Sequence, residues 1–119
     1  MGEILFKAKR IDNGEWIIGD GIHYPKSINY KGRCFIDGMN PVANDWIEII
    51  PSTLCQYTGL KDKNGVKIFN HDIVKFDEKE WGSPYEEIVT YDYALLNMRT
   101  SDYQKFCEVI GNIHDEEQP

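Results

Sequence analysis

The chain has 119 residues, 41% of them hydrophobic and 13% aromatic, which suits one domain, or two small halves sharing a core, folding without outside help. Thirteen basic against twenty acidic residues leave a formal charge of -7, which disfavours nonspecific attraction to phosphate backbones over the protein as a whole. No apolar run reaches the roughly 18 to 20 residues that cross a bilayer, no secretory leader pattern opens the sequence, and Cys34, Cys55 and Cys107 form an odd, widely spaced set, so a soluble cytoplasmic protein with reduced cysteines is expected.

In chain order, Ile4, Phe6 and Ala8 alternate with Lys7 and Lys9, the pattern of a strand with one apolar and one wet face, broken at Leu5. Asp12-Asn13-Gly14 supplies a tight hairpin turn, and Glu15 to Ile18 returns as the partner strand. Ser27 to Ile36 reads as a second ribbon bent at Lys31-Gly32. Trp46 to Ile50 is a short apolar strand stopped by Pro51, which lacks the amide that a continuing ladder uses. Ser52 or Thr53 is placed to cap one helical turn through Leu54 and Cys55, which Thr58-Gly59 then ends.

Lys63-Asn64-Gly65 marks another turn, and Ile73-Val74-Lys75-Phe76 has the β-branched and aromatic content of a buried strand. Glu78 to Tyr85 reads as a hairpin loop, Glu87 to Tyr93 as an alternating strand and Glu108 to Ile113 as the last one. Short strands at intervals of about ten residues, without a long helical period, predict an all-β fold. The expected architecture is a small barrel or sandwich of short antiparallel strands, with SH3-like barrel character in the C-terminal half and at most one short helical turn. It is expected to form a single domain over 1–119, with a boundary near Pro51 that separates two packed β subdomains, about 1–52 and 53–119.

The residues of chemistry are scattered. His23, His71 and His114 sit in no metalloprotease or zinc-finger spacing, and no two cysteines stand at C-x-x-C distance. A calcium loop around Asp62-Lys63-Asn64-Gly65 would need oxygen ligands where Leu60 and His71 stand. Glu86 and Glu87 are neighbours on a strand and point to opposite faces, so they cannot flank one substrate bond. Cys55 has the residue type of a nucleophile if a histidine such as His71 approaches it, but a small buried core cysteine is the commoner role. Gly19-Asp20-Gly21 lacks the helix and lysine of a phosphate cradle. No catalytic residue, cofactor or metal is expected, and the protein is not expected to be an enzyme.

Residues 53–76, TLCQYTGLKDKNGVKIFNHDIVKF, concentrate two glycines, an Asn-Gly turn, an apolar strand and Asp72. This block resembles the signature of the YopX family, small proteins encoded mostly by bacteriophages and prophages. ILFKAKRIDNGEWIIGDGI (4–22) is similar to the family's opening and CEVIGNIHD (107–115) to its closing strand. The chain departs from the family in 23–52, in 77–104 and at Asn70-His71, where an acidic residue and a glycine are more usual. The resemblance implies a largely β architecture and a phage or prophage origin, and it carries no established activity.

Two readings of the signature stand side by side. In one, Gly59 and Gly65 take backbone angles closed to other residues, Leu60, Ile68, Ile73 and Val74 enter the core, and Asp72 accepts amide hydrogens from the neighbouring turn; Gly111 belongs to the same structural motif. In the other, Gln56, Tyr57, Thr58 and Lys61 form an exposed patch for partner recognition.

The function expected first is a noncatalytic protein-interaction module, homo-oligomeric or bound to a host or phage protein, motivated by strand edges and by Trp16, Tyr24, Tyr30, Trp46 and Trp81. The alternative is a nucleic-acid-binding barrel using Lys7, Lys9, Arg10, Lys26, Lys31 and Arg33 as a basic N-terminal face.

Overall fold

The structure, a computed structural model, describes residues 4–38, 46–76, 85–90 and 106–117. The fold is all-β, and every strand pairing among the described residues is antiparallel. Among the described residues the strands follow in the order β1 (Phe6–Lys9), β2 (Trp16–His23), β3 (Cys34–Gly38), β4 (Trp46–Ile49), β5 (Cys55–Lys61), β6 (Lys67–Phe69), β7 (Asp72–Phe76), β8 (Tyr85–Ile88) and β9 (Cys107–Asn112). No helix among the described residues is long and apolar enough to cross a membrane. The chain divides into two compact units, Ile4–Gln56 with Glu117–Pro119, and Tyr57–Glu116 with Met1–Glu3.

In the N-terminal unit the hairpin of β1 and β2 pairs Phe6 with Gly19 and Lys9 with Trp16. Of the three turn residues only Gly14 takes a positive φ, 73°, and the Asn13 side chain accepts the Glu15 amide at 2.9 Å. β2 pairs β3, β3 pairs β4, and the first residues of β5 pair β1 through Phe6 with Gln56 and Lys7 with Cys55. The ribbon curls so far that a single bridge joins Arg10 to Ile49 on the far strand. This gives barrel-like curvature, but the described strands close no barrel.

The core of this unit is Ala8, Cys34, Ile36 and Ile49, with Phe6, Ile17, Ile22, Ile47 and Leu54 packed around it. β1 does not keep the simple alternation that its sequence suggests. Ile4 is exposed while Leu5, Ala8 and Lys9 are buried. Lys9 is accommodated because its Nζ donates to the Glu117 carbonyl at 3.0 Å and its backbone amide donates to Thr53 Oγ1 at 2.8 Å.

The segment before β3 is not the first arm of a ribbon. Ser27 caps a single 3₁₀ turn, Ile28–Tyr30, and β3 begins only at Cys34. The other helical turn among the described residues is also 3₁₀ and spans Pro51–Thr53. Pro51 suits its first position because its fixed φ fits and its missing amide would be unsatisfied there anyway. Buried Thr53 ends it, its hydroxyl donating to the Ile50 carbonyl at 2.6 Å. Cys55 therefore starts a strand instead of closing a helix.

In the C-terminal unit the remainder of β5 pairs β6, and β7 lies between β8 and β9. Leu60, Ile68, Val74, Phe76, Val89 and Cys107 form the core, with Phe106 and Val109 against it. Along β7 the inward residues are Asp72, Val74 and Phe76, so Ile73 is only half-buried and not part of the core. β8 covers Tyr85–Ile88, shorter and earlier than the strand expected over Glu87 to Tyr93. The loop expected over Glu78 to Tyr85 lies almost wholly outside the described residues, as do Trp81, Tyr91 and Tyr93.

Candidate functional site

The signature segment is built as a bulged hairpin. Between Tyr57 and Leu60 the register of β5 against β6 shifts, and Gly59 sits in that bulge with φ 89°. Thr58 fills it from inside, its hydroxyl donating to the Ile68 carbonyl at 2.7 Å and accepting the Leu60 amide at 3.2 Å. Tyr57 is 6% exposed and Thr58 3%. The Tyr57 ring packs on Phe69 at 5.5 Å, with Lys67 Nζ over it at the same distance. Gln56 is half-buried, and only Lys61 of the four expected patch residues is exposed. The four thus form no common exposed surface, because the bulge turns the tyrosine and threonine inward.

Two carboxylates organise the turns around this hairpin. Asp62, 4% exposed, accepts the amides of Asn64 and Val66 with Oδ1 at 2.9 Å each and that of Val109 with Oδ2 at 2.9 Å. It thereby holds the Asn64-Gly65 turn, where Gly65 has φ 82° and open space around it, and ties that turn to β9. Asp72 is fully buried; its Oδ2 accepts the Phe69 amide at 2.8 Å and its Oδ1 accepts Asn112 Nδ2 at 2.9 Å. Gly111 lets the chain fold tightly after β9, since a Cβ there would stand 3.0 Å from the Asp115 carboxylate that receives the Asn112 amide. Asp62 drew attention in the sequence only as part of a failed calcium loop; its true signal is an Asx turn, Asp-x-Asn-Gly.

At position 71, just before Asp72, the backbone φ is 72°, the left-handed region in which glycine is at ease. A glycine would be at ease there, and His71 occupies the position against a cost of about 1–2 kcal/mol. Burial, together with the neighbouring His114, holds the His71 pKa below its ordinary value, against a smaller upward pull from Asp72.

A constellation of aromatic and charged side chains lies in the N-terminal unit, on the outer face of β2, β3 and β4. Inward positions Cys34, Ile36 and Ile49 fill the core, so Phe35, Asp37, Trp46 and Glu48 alternate outward. Trp46 is 51% exposed and stacks on His23, with ring centroids 4.0 Å apart and planes at 11°. His23 Nε2 lies 2.8 Å from Asp37 Oδ2, which fixes the imidazole beneath the indole. Phe35, 8% exposed, touches Trp46 at 6.1 Å and Tyr30 edge-on at 5.9 Å. Arg33 lies 4.9 Å from the Tyr30 ring and 5.2 Å from that of Phe35, and it grips Glu48 through two hydrogen bonds of 2.9 and 2.8 Å. The result is a rigid aromatic and charged surface. The sequence names Tyr30, Trp46 and Arg33 as separate candidates and His23 only among the scattered histidines, and it does not name Asp37; only register brings them together.

The basic residues of the N-terminal half do not share one free face. Arg10 is forked onto Asp12 at 3.0 and 2.8 Å, Arg33 is engaged with Glu48, and Lys9 is buried. Lys7 lies 4.8 Å from the Trp16 ring centroid, and Lys26 and Lys31 are exposed.

All three cysteines are buried. Burial pushes Cys107 up to about 12 and also raises Cys34, so both remain protonated at neutral pH and are poor nucleophiles. The Cys55 thiol donates to the Thr53 carbonyl at 3.2 Å.

No curated protein and no solved structure matches the chain. The family model described as YopX protein matches residues 5–118, nearly the whole length, and the chain belongs to that family.

Proposed function

We infer that this YopX-family protein is a noncatalytic interaction module, and that its docking surface for a protein partner is the outer face centred on Trp46. The observation that carries this reading is the exposed indole stacked on an imidazole that Asp37 holds in place. A large aromatic side chain already immobilised loses little entropy on binding, and Trp, Tyr and Arg are the residue types that dominate protein interfaces. Tyr30 and Arg33 extend the same surface. A phage or prophage origin, and action in the bacterial cytoplasm on a host or phage protein, belong to this proposal.

Self-association is a second form of the reading, favoured by a specific feature of the C-terminal unit. Ile88, Ile110 and Ile113 are 51%, 45% and 44% exposed on or next to the sheet of β7, β8 and β9. The nucleic-acid alternative has less support, because its arginines are neutralised and one of its lysines is buried.

The test is a tagged pulldown from a bacterial host lysate, with and without nuclease, using the wild type and Trp46→Ala. A stoichiometric protein that survives nuclease and is lost with Trp46→Ala is the expected result. Recovery that vanishes with nuclease supports nucleic-acid binding, and a bait recovered alone as a closed oligomer supports self-assembly.

A further inference from the structure

We propose that His71 and His114 form a two-imidazole chelate for a borderline divalent transition ion such as Zn²⁺. His71 lies on the turn between β6 and β7, and His114 lies two residues past the end of β9. The geometry is fixed by backbone on both sides. The His71 amide donates to the Val89 carbonyl at 2.7 Å, the Ile113 amide donates to the His71 carbonyl at 3.1 Å, and the His114 amide donates to Asn112 Oδ1 at 2.9 Å. The buried bond from Asn112 to Asp72 links the two segments again, one residue from His71 and two from His114.

Within this frame His71 Nδ1 and His114 Nε2 stand 3.2 Å apart, with ring centroids at 5.2 Å and planes at 66°. Two imidazole nitrogens bound to one tetrahedral ion at roughly 2.0–2.1 Å each lie about 3.4 Å from one another. Receiving an ion thus asks the two nitrogens to separate by a few tenths of an ångström and each ring to turn its lone pair from its partner towards the ion. Without metal the same two nitrogens share a hydrogen bond through one proton, and binding moves that proton to the other nitrogen of its own ring, so that both imidazoles meet the ion as neutral ligands.

A second, independent feature sets this pair apart. His71 is the one non-glycine residue with positive φ among the described residues. Strain of this kind is kept where the side chain it presents has a use. A metal on Nδ1 leaves the hydrogen of His71 on Nε2, and the Asn70 side-chain amide lies 3.5 Å from that atom. The two ends of an amide are interchangeable in their fit, so Asn70 can offer its oxygen and hold the required tautomer, as groups behind metal-bound histidines generally do.

The test uses the full chain, stripped of metal with a chelator and titrated with Zn²⁺ by calorimetry, with the histidine ring signals followed by NMR. The expected result is one-to-one binding that moves the His71 and His114 ring signals and leaves those of His23 in place. His114→Gln should weaken the affinity at least about tenfold. His71→Gly should do the same while keeping the fold, since glycine accepts the backbone angle, and should abolish the rise in Tm that Zn²⁺ gives the wild type. Absence of stoichiometric uptake by the wild type, or His71→Gly binding as tightly as the wild type, would overturn the proposal.

Discussion

Asp72 and Asn112 meet across 40 residues of sequence in a buried hydrogen bond of 2.9 Å, the carboxylate accepting from the side-chain amide. That pair fixes the start of β7 against the end of β9, where both backbones also pair in register. Because Asp72 accepts the Phe69 amide as well, it organises the β6 to β7 turn from within. Removing the carboxylate leaves two buried donors without this acceptor, each worth about 1–3 kcal/mol. Asp72→Ala is therefore expected to destabilise the protein by about 2–4 kcal/mol, read as a fall in the urea midpoint. A loss under about 1 kcal/mol would show that the network is not what secures β7.

Gly65 separates backbone strain from crowding. Nothing lies near the position of its missing Cβ, yet its φ is 82°. Gly65→Ala is expected to cost about 1–2 kcal/mol from the left-handed conformation alone. Gly65→Asn should cost less, because asparagine visits that region more readily. Chemical denaturation of the two variants side by side checks the order.

Cys107 makes stability sensitive to alkali. Its thiol is held at about 12 against an ordinary value of 9.0, chiefly by burial. The folded state keeps the proton that the unfolded chain gives up, so this contribution is fully present below pH 9.0 and is lost as pH rises towards about 12. The slope is up to about 1.4 kcal/mol per pH unit. Cys107→Ala should lower stability at neutral pH through the cavity it leaves and flatten the alkaline slope. An unchanged slope would place the sensitivity elsewhere.

Trp46→Ala and Arg33→Ala should affect binding far more than folding. Both side chains lie outside the core, so stability should change by no more than about 1 kcal/mol. Binding of the protein partner should weaken by about 2 kcal/mol or more for Trp46→Ala, roughly thirtyfold. Thermal unfolding and titration of the same preparations separate the two effects.

How much of this was legible in the sequence depended on how local the cause was. The first hairpin was readable because Asn13-Gly14 and the flanking strands lie within a few residues of one another. The all-β class followed from short β-branched and aromatic runs, and family membership from three blocks in order. The turn at Ile28–Tyr30 was missed because Ser27 caps a single 3₁₀ turn, too short to show a period. Alternation puts Lys9 on the wet face because the acceptor that satisfies its buried ammonium is the Glu117 carbonyl, more than a hundred residues away. The reading of residues 56–58 and 61 as an exposed patch puts Tyr57 and Thr58 outside, because a bulge at Gly59 is invisible to strict alternation. The stack of Trp46 on His23 needed the register of three strands, and no local pattern reports that register.

The most direct test of the interaction reading is the hydrogen-exchange footprint of the protein alone and in the complex it recovers from host lysate. Protection concentrated on 28–37 and 46–49, the segments that carry the Trp46 face, is the predicted result. Protection confined to 56–61, or no difference between the free and bound protein, would contradict it.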